Sequence, residues 1–180
     1  MTEPVIEEEY AGFKIVLADE LQITELGDLF IDMYNHFFEA NGITNLPENG
    51  FQGWIRGYGR ARLISRAVYI CYENEKPVGM IEGQIKIGGP LSGLGKLGHT
   101  AHLFVKPEYR RAGLAKKMYQ IQQSWFLSKG ISNETLEVVC GNRVACGFWS
   151  AMGFKSSFIN MIKTVDGNTE SPVTAQRIRG

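Results

Sequence analysis

The chain is poor in the residues that make a disulfide scaffold, a zinc knuckle or a membrane protein. Its three cysteines, Cys71, Cys140 and Cys146, form an odd set whose spacing fits neither a disulfide framework nor paired zinc sites. Basic and acidic residues balance at 19 each, so no broad basic field is available to follow a nucleic-acid backbone. No apolar run approaches the length of a membrane span. The start, Met1-Thr2-Glu3-Pro4-Val5-Ile6-Glu7-Glu8-Glu9, is acidic where a secretory signal is basic and then apolar. These absences predict a reduced, soluble, cytoplasmic protein with neither nucleic acid nor membrane among its partners. A chain of 180 residues suffices for one domain that buries roughly 70% of its unfolded surface. We place that domain at 1–165, followed by a polar tail, 166–180, with too few apolar residues to pack alone.

Hydrophobic periodicity predicts the order β-α-α-β-β-β-α-β-α-β. Phe13 to Leu17 reads as a strand, and Asp19 with Gln22 forms a capping box for a helix whose stripe is Leu26, Leu29, Phe30, Met33 and Phe37, stopped at Asn41-Gly42. A second, glycine-interrupted helix lies within Gly50 to Ser65. Ala67 to Tyr72 and Val78 to Ile87 flank a turn-forming stretch and predict an antiparallel hairpin. In its second strand Ile81, Ile85 and Ile87 share one face, and Met80, Glu82, Gln84 and Lys86 the other, which sets Glu82 on a polar surface. A strand from His99 to Val105 follows a glycine-rich connection. The next helix carries the stripe Leu114, Met118, Ile121 and Trp125 and ends near Lys129-Gly130. Leu136 to Cys140 is a further strand, Asn142 caps a short helix closed by Gly153, and Phe158 to Val165 supplies the last strand.

The run from Val105 to Met118 carries the chemistry. It passes from an apolar strand through a Pro-initiated turn into a helix, and the first amides of a helix lack intrahelical partners at the positive end of its dipole. A phosphate can use both. Gly113 and Ala115 put no bulk between those amides and a ligand, while Arg110, Arg111, Lys116 and Lys117 supply charge suited to a diphosphate or ribose phosphate.

Arg110-x-x-Gly113-x-Ala115, after a strand ending Val105-x-Pro107, resembles the acyl-CoA signature of the GNAT N-acyltransferase superfamily, [Gln/Arg]-x-x-Gly-x-[Gly/Ala]. Asn142-x-x-Ala145-x-x-x-Trp149-x-x-x-Gly153-Phe154 resembles that superfamily's later Asn…Ala…Tyr…Gly-Phe helix, with Trp149 where Tyr is usual. The resemblance runs from Phe13 to about Val165. It implies an α/β (α+β) fold, with a mixed, mostly antiparallel central sheet flanked by helices. In that sheet the strand of Leu103, Phe104 and Val105 splays from the one carrying Val138 and Val139.

As function the resemblance implies transfer of an acetyl or other acyl group from acetyl-CoA (coenzyme A), a co-substrate, to a primary amine of a small molecule or peptide by direct attack, without a metal. The backbone amides of Arg111, Ala112, Gly113, Leu114 and Ala115 are then candidates to hold the diphosphate, with Arg110 and Lys116 as charge partners. Leu103, Phe104 and Val105 offer backbone donors to pantetheine and to the thioester carbonyl. Asn142 and Trp149 join the cofactor side, Trp149 against the acyl or pantetheine arm. The aromatic residues Tyr34, His36, Phe37, Phe38, Trp54 and Tyr58 fall where the superfamily builds its acceptor wall, although core is the better reading of Phe37. Many members pair, which makes a homodimer compatible with the resemblance.

An alkylammonium has a pKa of about 10.4, so a base must take its proton before the nitrogen attacks. Glu82 and His102 are the candidates, with Glu82 preferred. An indole N–H cannot deliver a proton to the departing thiolate, so at Trp149 the acid step is dispensable or falls to water. That departure keeps a second reading open, a non-catalytic acyl-CoA-binding or regulatory domain. A third, a nucleotide-binding module using Gly93 to Gly98, is weaker. Those glycines match GxGxxG but open a strand rather than a helix, and as a P-loop the segment has Pro90 in place of the first glycine and Leu97 in place of Ser/Thr. His99 and His102 are an odd number of steps apart on one strand, so without a bulge they point to opposite faces and cannot share a metal. Cys140 and Cys146 read as small hydrophobes rather than nucleophiles.

Overall fold

The computed structural model describes residues 5–41, 45–88, 93, 95–139, 141–157 and 159. Among the described residues six strands form one sheet in sequence order: β1 (Glu7–Tyr10), β2 (Phe13–Leu17), β3 (Arg66–Glu73), β4 (Lys76–Ile87), β5 (Lys96–Val105) and β6 (Glu134–Leu136). Neighbours are antiparallel except β5 and β6, which run parallel. The helices among the described residues are α1 (Gly27–Asn41), α2 (Gly50–Ala61), α3 (Leu114–Ser128) and α4 (Arg143–Ala151). The chain divides into two compact units, Met1–Met33 with Leu46–Glu137, and Tyr34–Asn45 with Val138–Gly180.

The expected hairpin forms around a two-residue turn in which Asn74 and Glu75 both take positive φ, 46° and 66°. That turn matches the right-handed twist of the flanking strands. The same device at Ala11 and Gly12, φ 53° and 84°, joins β1 to β2. The sequence reading missed β1, because a run of glutamates has poor strand propensity. Its pairing with β2 from Glu7↔Val16 to Tyr10↔Phe13 and the Lys14–Glu7 ion pair at 2.9 Å stabilise it instead. The Asp19 capping box forms as read: the Asp19 N–H donates to Gln22 Oε1 at 3.0 Å and the Gln22 N–H to Asp19 Oδ1 at 2.8 Å. The segment it caps begins as a 3₁₀ turn, Gln22–Leu26, before α1.

Helices cover both faces of the sheet. On one, α3 buries Leu114, Met118, Ile121 and Trp125, the expected stripe. It lies so close that a Cβ at Gly98 or Gly83 would come within 2.8 or 3.1 Å of the Phe126 ring. On the other face lie α2 and the first half of α1, whose Leu29, Phe30 and Met33 are buried. Covering both faces overturns one expectation. The alternation in β4 does not separate core from solvent, because Met80 and Glu82 are as fully buried as Ile81, while Ile87 is exposed at the strand end.

The strand expected at 136–140 is shorter and earlier. β6 pairs with β5 through Gly98↔Glu134, His99↔Thr135 and Thr100↔Leu136, and the ladder then stops. Residues 137–139 carry no strand, and Cys140 lies outside the described residues. The last expected strand, at 158–165, lies outside them too, apart from Ile159. Helix α4 has both predicted ends. The Asn142 side chain accepts the Ala145 N–H at 3.0 Å. At the other end Gly153 (φ 94°) donates to Ser150 O and Phe154 to Trp149 O, each at 3.0 Å, a Schellman closure that seats Phe154 edge-on to Trp149.

Candidate active site

One extra residue in β5 builds the polar centre of the sheet. Gly83 pairs with Thr100, but Glu82 pairs with His102, so Ala101 is the additional residue of a β-bulge. A regular ladder would set Ala101 across from Glu82 and turn His102 toward α3. The bulge turns His102 to the Glu82 face, where His99, paired with Gln84 in the regular ladder before it, already lies. The opposite-face reading of the two histidines is thereby corrected. Their Nδ1 atoms have separate partners, Thr135 Oγ1 at 3.1 Å for His99 and Glu82 Oε2 at 2.7 Å for His102.

Glu82 is 0% exposed, not a solvated sheet residue. Its Oε2 accepts from Trp54 Nε1 at 2.7 Å and from His102 Nδ1 at 2.7 Å. Its Oε1 accepts from Arg66 Nε at 2.8 Å, from a second Arg66 nitrogen, and from Gln84 Nε2 at 2.8 Å. Burial alone would raise the carboxyl pKa. The hydrogen bond and charge of His102, the charge of Arg66 and the Gln84 amide outweigh it and hold Glu82 down at about 2. A buried carboxylate with every acceptor direction engaged is poorly placed to take a proton from a substrate. It fixes its neighbours instead.

Facing an ionised carboxylate, His102 Nδ1 must carry its proton, which leaves the neutral ring's lone pair on Nε2. The Phe30 ring packs edge-on to the imidazole at 5.4 Å. Arg66 is held in turn beneath α2, 5.6 Å from the centroids of both Trp54 and Tyr58. A side chain at Gly57 would intrude there, since its Cβ would meet an Arg66 nitrogen at 3.0 Å. Tyr58, expected on an acceptor wall, is buried core and donates its hydroxyl to Ala18 O at 3.0 Å. Tyr34, His36, Phe37 and Phe38 are half-buried in the second half of α1.

Glu82→Gln is expected to destabilise the fold by about 3–5 kcal/mol at neutral pH, because it leaves the buried Arg66 charge uncompensated and sets an amide N–H₂ among donors. The stability that ionised Glu82 contributes is fully present above its ordinary value of 4.5 and is lost as pH falls from there through about 2. Urea unfolding at stepped pH should therefore show the wild-type advantage shrinking below pH 4.5.

The anion site lies at the far end of β5. Arg110 Nε donates to Val105 O at 2.9 Å and its guanidinium sits 5.7 Å from the Phe104 ring, strapping the turn onto the strand end. Arg111 (φ 71°) and Gly113 (φ 79°) turn the chain so that Gly113 is the N-cap of α3, with no side chain capping the helix. The first intrahelical bond is Lys117 N–H to Gly113 O at 3.0 Å, so the amides of Leu114, Ala115 and Lys116 precede the ladder. Arg111, Ala112, Gly113 and Lys116 are exposed and Ala115 is half-buried. Lys117 is engaged differently, with Glu8 in an ion pair and over the Tyr10 ring at 5.8 Å.

Between these ends, the Lys106 N–H bonds to Val78 O on the β4 side. Strand alternation then directs the Phe104 N–H to that side, and those of Leu103 and Val105 to the edge beyond the end of β6. Glu82, His102, Leu103, Phe104, Val105 and the turn from Arg110 to Lys116 thus follow one strand and its exit. Asn142 and Trp149 belong to the other unit, Asn142 as the α4 cap and Trp149 buried against Phe148 at 4.8 Å. The sequence reading missed Trp54, Arg66 and Gln84 as partners of Glu82. Only the Gln84 spacing, two residues along the same strand, carried a local signal.

No curated protein sequence matches the chain. Solved structures match its fold. The aminoglycoside acetyltransferase AAC(6')-Iy, bound to the bisubstrate analogue CoA-S-monomethyl-acetylneamine, is 15% identical with a TM-score of 0.64, over 86% of this chain and 99% of that one. Glucosamine-6-phosphate N-acetyltransferase from Arabidopsis thaliana is 20% identical with a TM-score of 0.61, over 86% and 99%. A predicted acetyltransferase from Clostridium acetobutylicum, solved with acetyl-CoA, is 14% identical with a TM-score of 0.67, over 83% and 96%. The model of the acetyltransferase (GNAT) family matches residues 27–154, from the start of α1 to the close of α4, and by that match the chain belongs to the GNAT family of acetyltransferases.

Proposed function

We propose that the protein is an acetyl-CoA-dependent N-acetyltransferase acting on the primary amine of a small molecule or peptide. The observation that carries this reading is the arrangement along β5. A carboxylate-oriented histidine is followed by two outward amides and then by an α-helix N-terminus approached through glycine. The residues suit the donor: Gly113 opens α3 in the left-handed conformation with no side chain capping its amides, and the exposed Arg111 and Lys116 add charge there. When bound, acetyl-CoA supplies an acetyl group activated as a thioester.

In this reading the amides of Leu114, Ala115 and Lys116 would hold phosphate oxygens, and those of Leu103 and Val105 would donate to the thioester carbonyl oxygen. His102 Nε2 takes the proton of the attacking amine, directly or through one water. Glu82 fixes the tautomer of His102 and stabilises its imidazolium, a positioning role that replaces the base role expected from sequence. The thiolate, whose conjugate acid has a pKa of about 8.5, would depart unaided and then take a proton from water.

The aminoglycoside and glucosamine-6-phosphate enzymes among the structural neighbours make amino-sugars the first acceptors to test. At 100 times its Kd, acetyl-CoA should stabilise the protein by about 2.7 kcal/mol. For a chain of this size that raises Tm by about 5–10 °C. Thiol release should then appear with one class in an amine panel. Stabilisation without thiol release from any amine would favour the non-catalytic reading, and no stabilisation at all would remove the cofactor assignment.

A further inference from the structure

The transfer reaction requires a base and a group that orients it, yet the orienting carboxylate also receives a hydrogen bond from another helix. Trp54 of α2 donates its indole N–H to Glu82 Oε2, the same oxygen that takes the His102 Nδ1 proton. The indole is held in place: it stacks on Phe51 and on Tyr58, each at 6.0 Å, and packs tilted on Phe30 at 4.8 Å. We propose that Trp54 is a positioning residue that sets the basicity of His102 by sharing Glu82 Oε2 with it, and that it thereby ties α2 to the base. The proposal rests on the reading of His102 as the base.

The physical argument is competition for one oxygen. Negative charge on Oε2 stabilises the imidazolium, and a hydrogen bond from a neutral donor draws on that same charge. With the indole in place the carboxylate orients His102 but attracts its second proton less than it would without the indole. The charged and titratable groups facing His102 act around this balance. Glu82 from β4 favours protonation, whereas Arg66 from β3 opposes it, as does His99 on the same face of β5 when charged. Two uncharged rings pack beside this pair, Phe30 of α1 on His102 and Trp54 of α2 on Glu82.

Trp54→Phe keeps a ring in the stack and deletes the donor. The imidazole resonances of His102 in this variant should titrate higher than in the wild type by about half a pH unit or more. The acid limb of kcat/KM should move with them, while acetyl-CoA affinity stays within about two-fold. Phe51→Leu loosens the same stack without touching Glu82, and its His102 should titrate as in the wild type. Unmutated protein gives a second readout that needs no variant to fold. The indole N–H cross-peak of Trp54 should shift as His102 titrates, whereas that of Trp125, buried on the α3 face, should not. An unchanged His102 titration in Trp54→Phe, an equal shift in Phe51→Leu, or an indole peak indifferent to His102 would each overturn the proposal. Absence of acetyl transfer to any amine would remove the functional reading instead, and the titration would still decide the proposal.

Discussion

Gly113→Glu is expected to weaken acetyl-CoA binding by more than about 100-fold, equivalent to about 2.7 kcal/mol, while the sheet remains folded. Three causes act at this position. The residue stands at φ 79°, where a side chain costs about 1–2 kcal/mol. Its Cβ would lie 2.7 Å from the Tyr10 hydroxyl, so Tyr10 of β1 must move. The carboxylate would then compete for the α3 amides that the functional reading gives to phosphate, and would repel an incoming anion. Gly113→Ala separates these causes, because it brings the strain and the Tyr10 contact without the charge, and it should fall between the wild type and Glu. Isothermal calorimetry with circular dichroism on both variants is the measurement. Full affinity in a folded Gly113→Glu protein would move the diphosphate away from this turn.

The same turn shows what a sequence can carry. Its signature is contiguous, and the geometry it needs is local: a positive φ, an uncapped helix start, and small residues beside the amides. The capping box at Asp19 and the stripe of α3 were legible for the same reason, since i, i+3 and i, i+4 spacings fix contacts within one element. Glu82 was misjudged because alternation reports only that two faces differ. It cannot say that α2 and α3 cover both, or that Arg66, sixteen residues away, reaches the carboxylate. The faces of His99 and His102 were misjudged because a bulge at Ala101 inverts every residue after it, and alanine carries no mark of a bulge. β1 escaped notice because its stability comes from a neighbour rather than from its own glutamates. The fold was therefore readable, and so was the local geometry of the turn before α3, whereas the surroundings of Glu82 and His102 depended on contacts between elements.

His102→Gln is expected to lower kcat by about 10²–10⁴-fold with acetyl-CoA affinity within about two-fold, because the change lies on the Glu82 face of β5 and leaves the α3 turn intact. Glutamine can still donate an N–H to Glu82, so the carboxylate keeps its set of donors and the fold keeps most of its stability. What disappears is the lone pair on Nε2, and with it the limb of the pH profile that reports protonation of the base. Comparison with Glu82→Gln decides which residue handles the proton. If Glu82 acts through His102, the double variant should be scarcely slower than His102→Gln alone, since a group that only orients the base has nothing left to orient. If Glu82 itself takes the proton, the two losses should multiply, and His102→Gln should keep an acid limb near the wild-type position. Added imidazole gives an independent check: restored turnover in His102→Gln but not in Glu82→Gln would place the missing proton acceptor at the ring. Acid sensitivity follows a different course. The carboxylate is held at about 2 in the folded protein, so any loss of rate between pH 5 and 7 cannot come from protonating Glu82 and must come from another group.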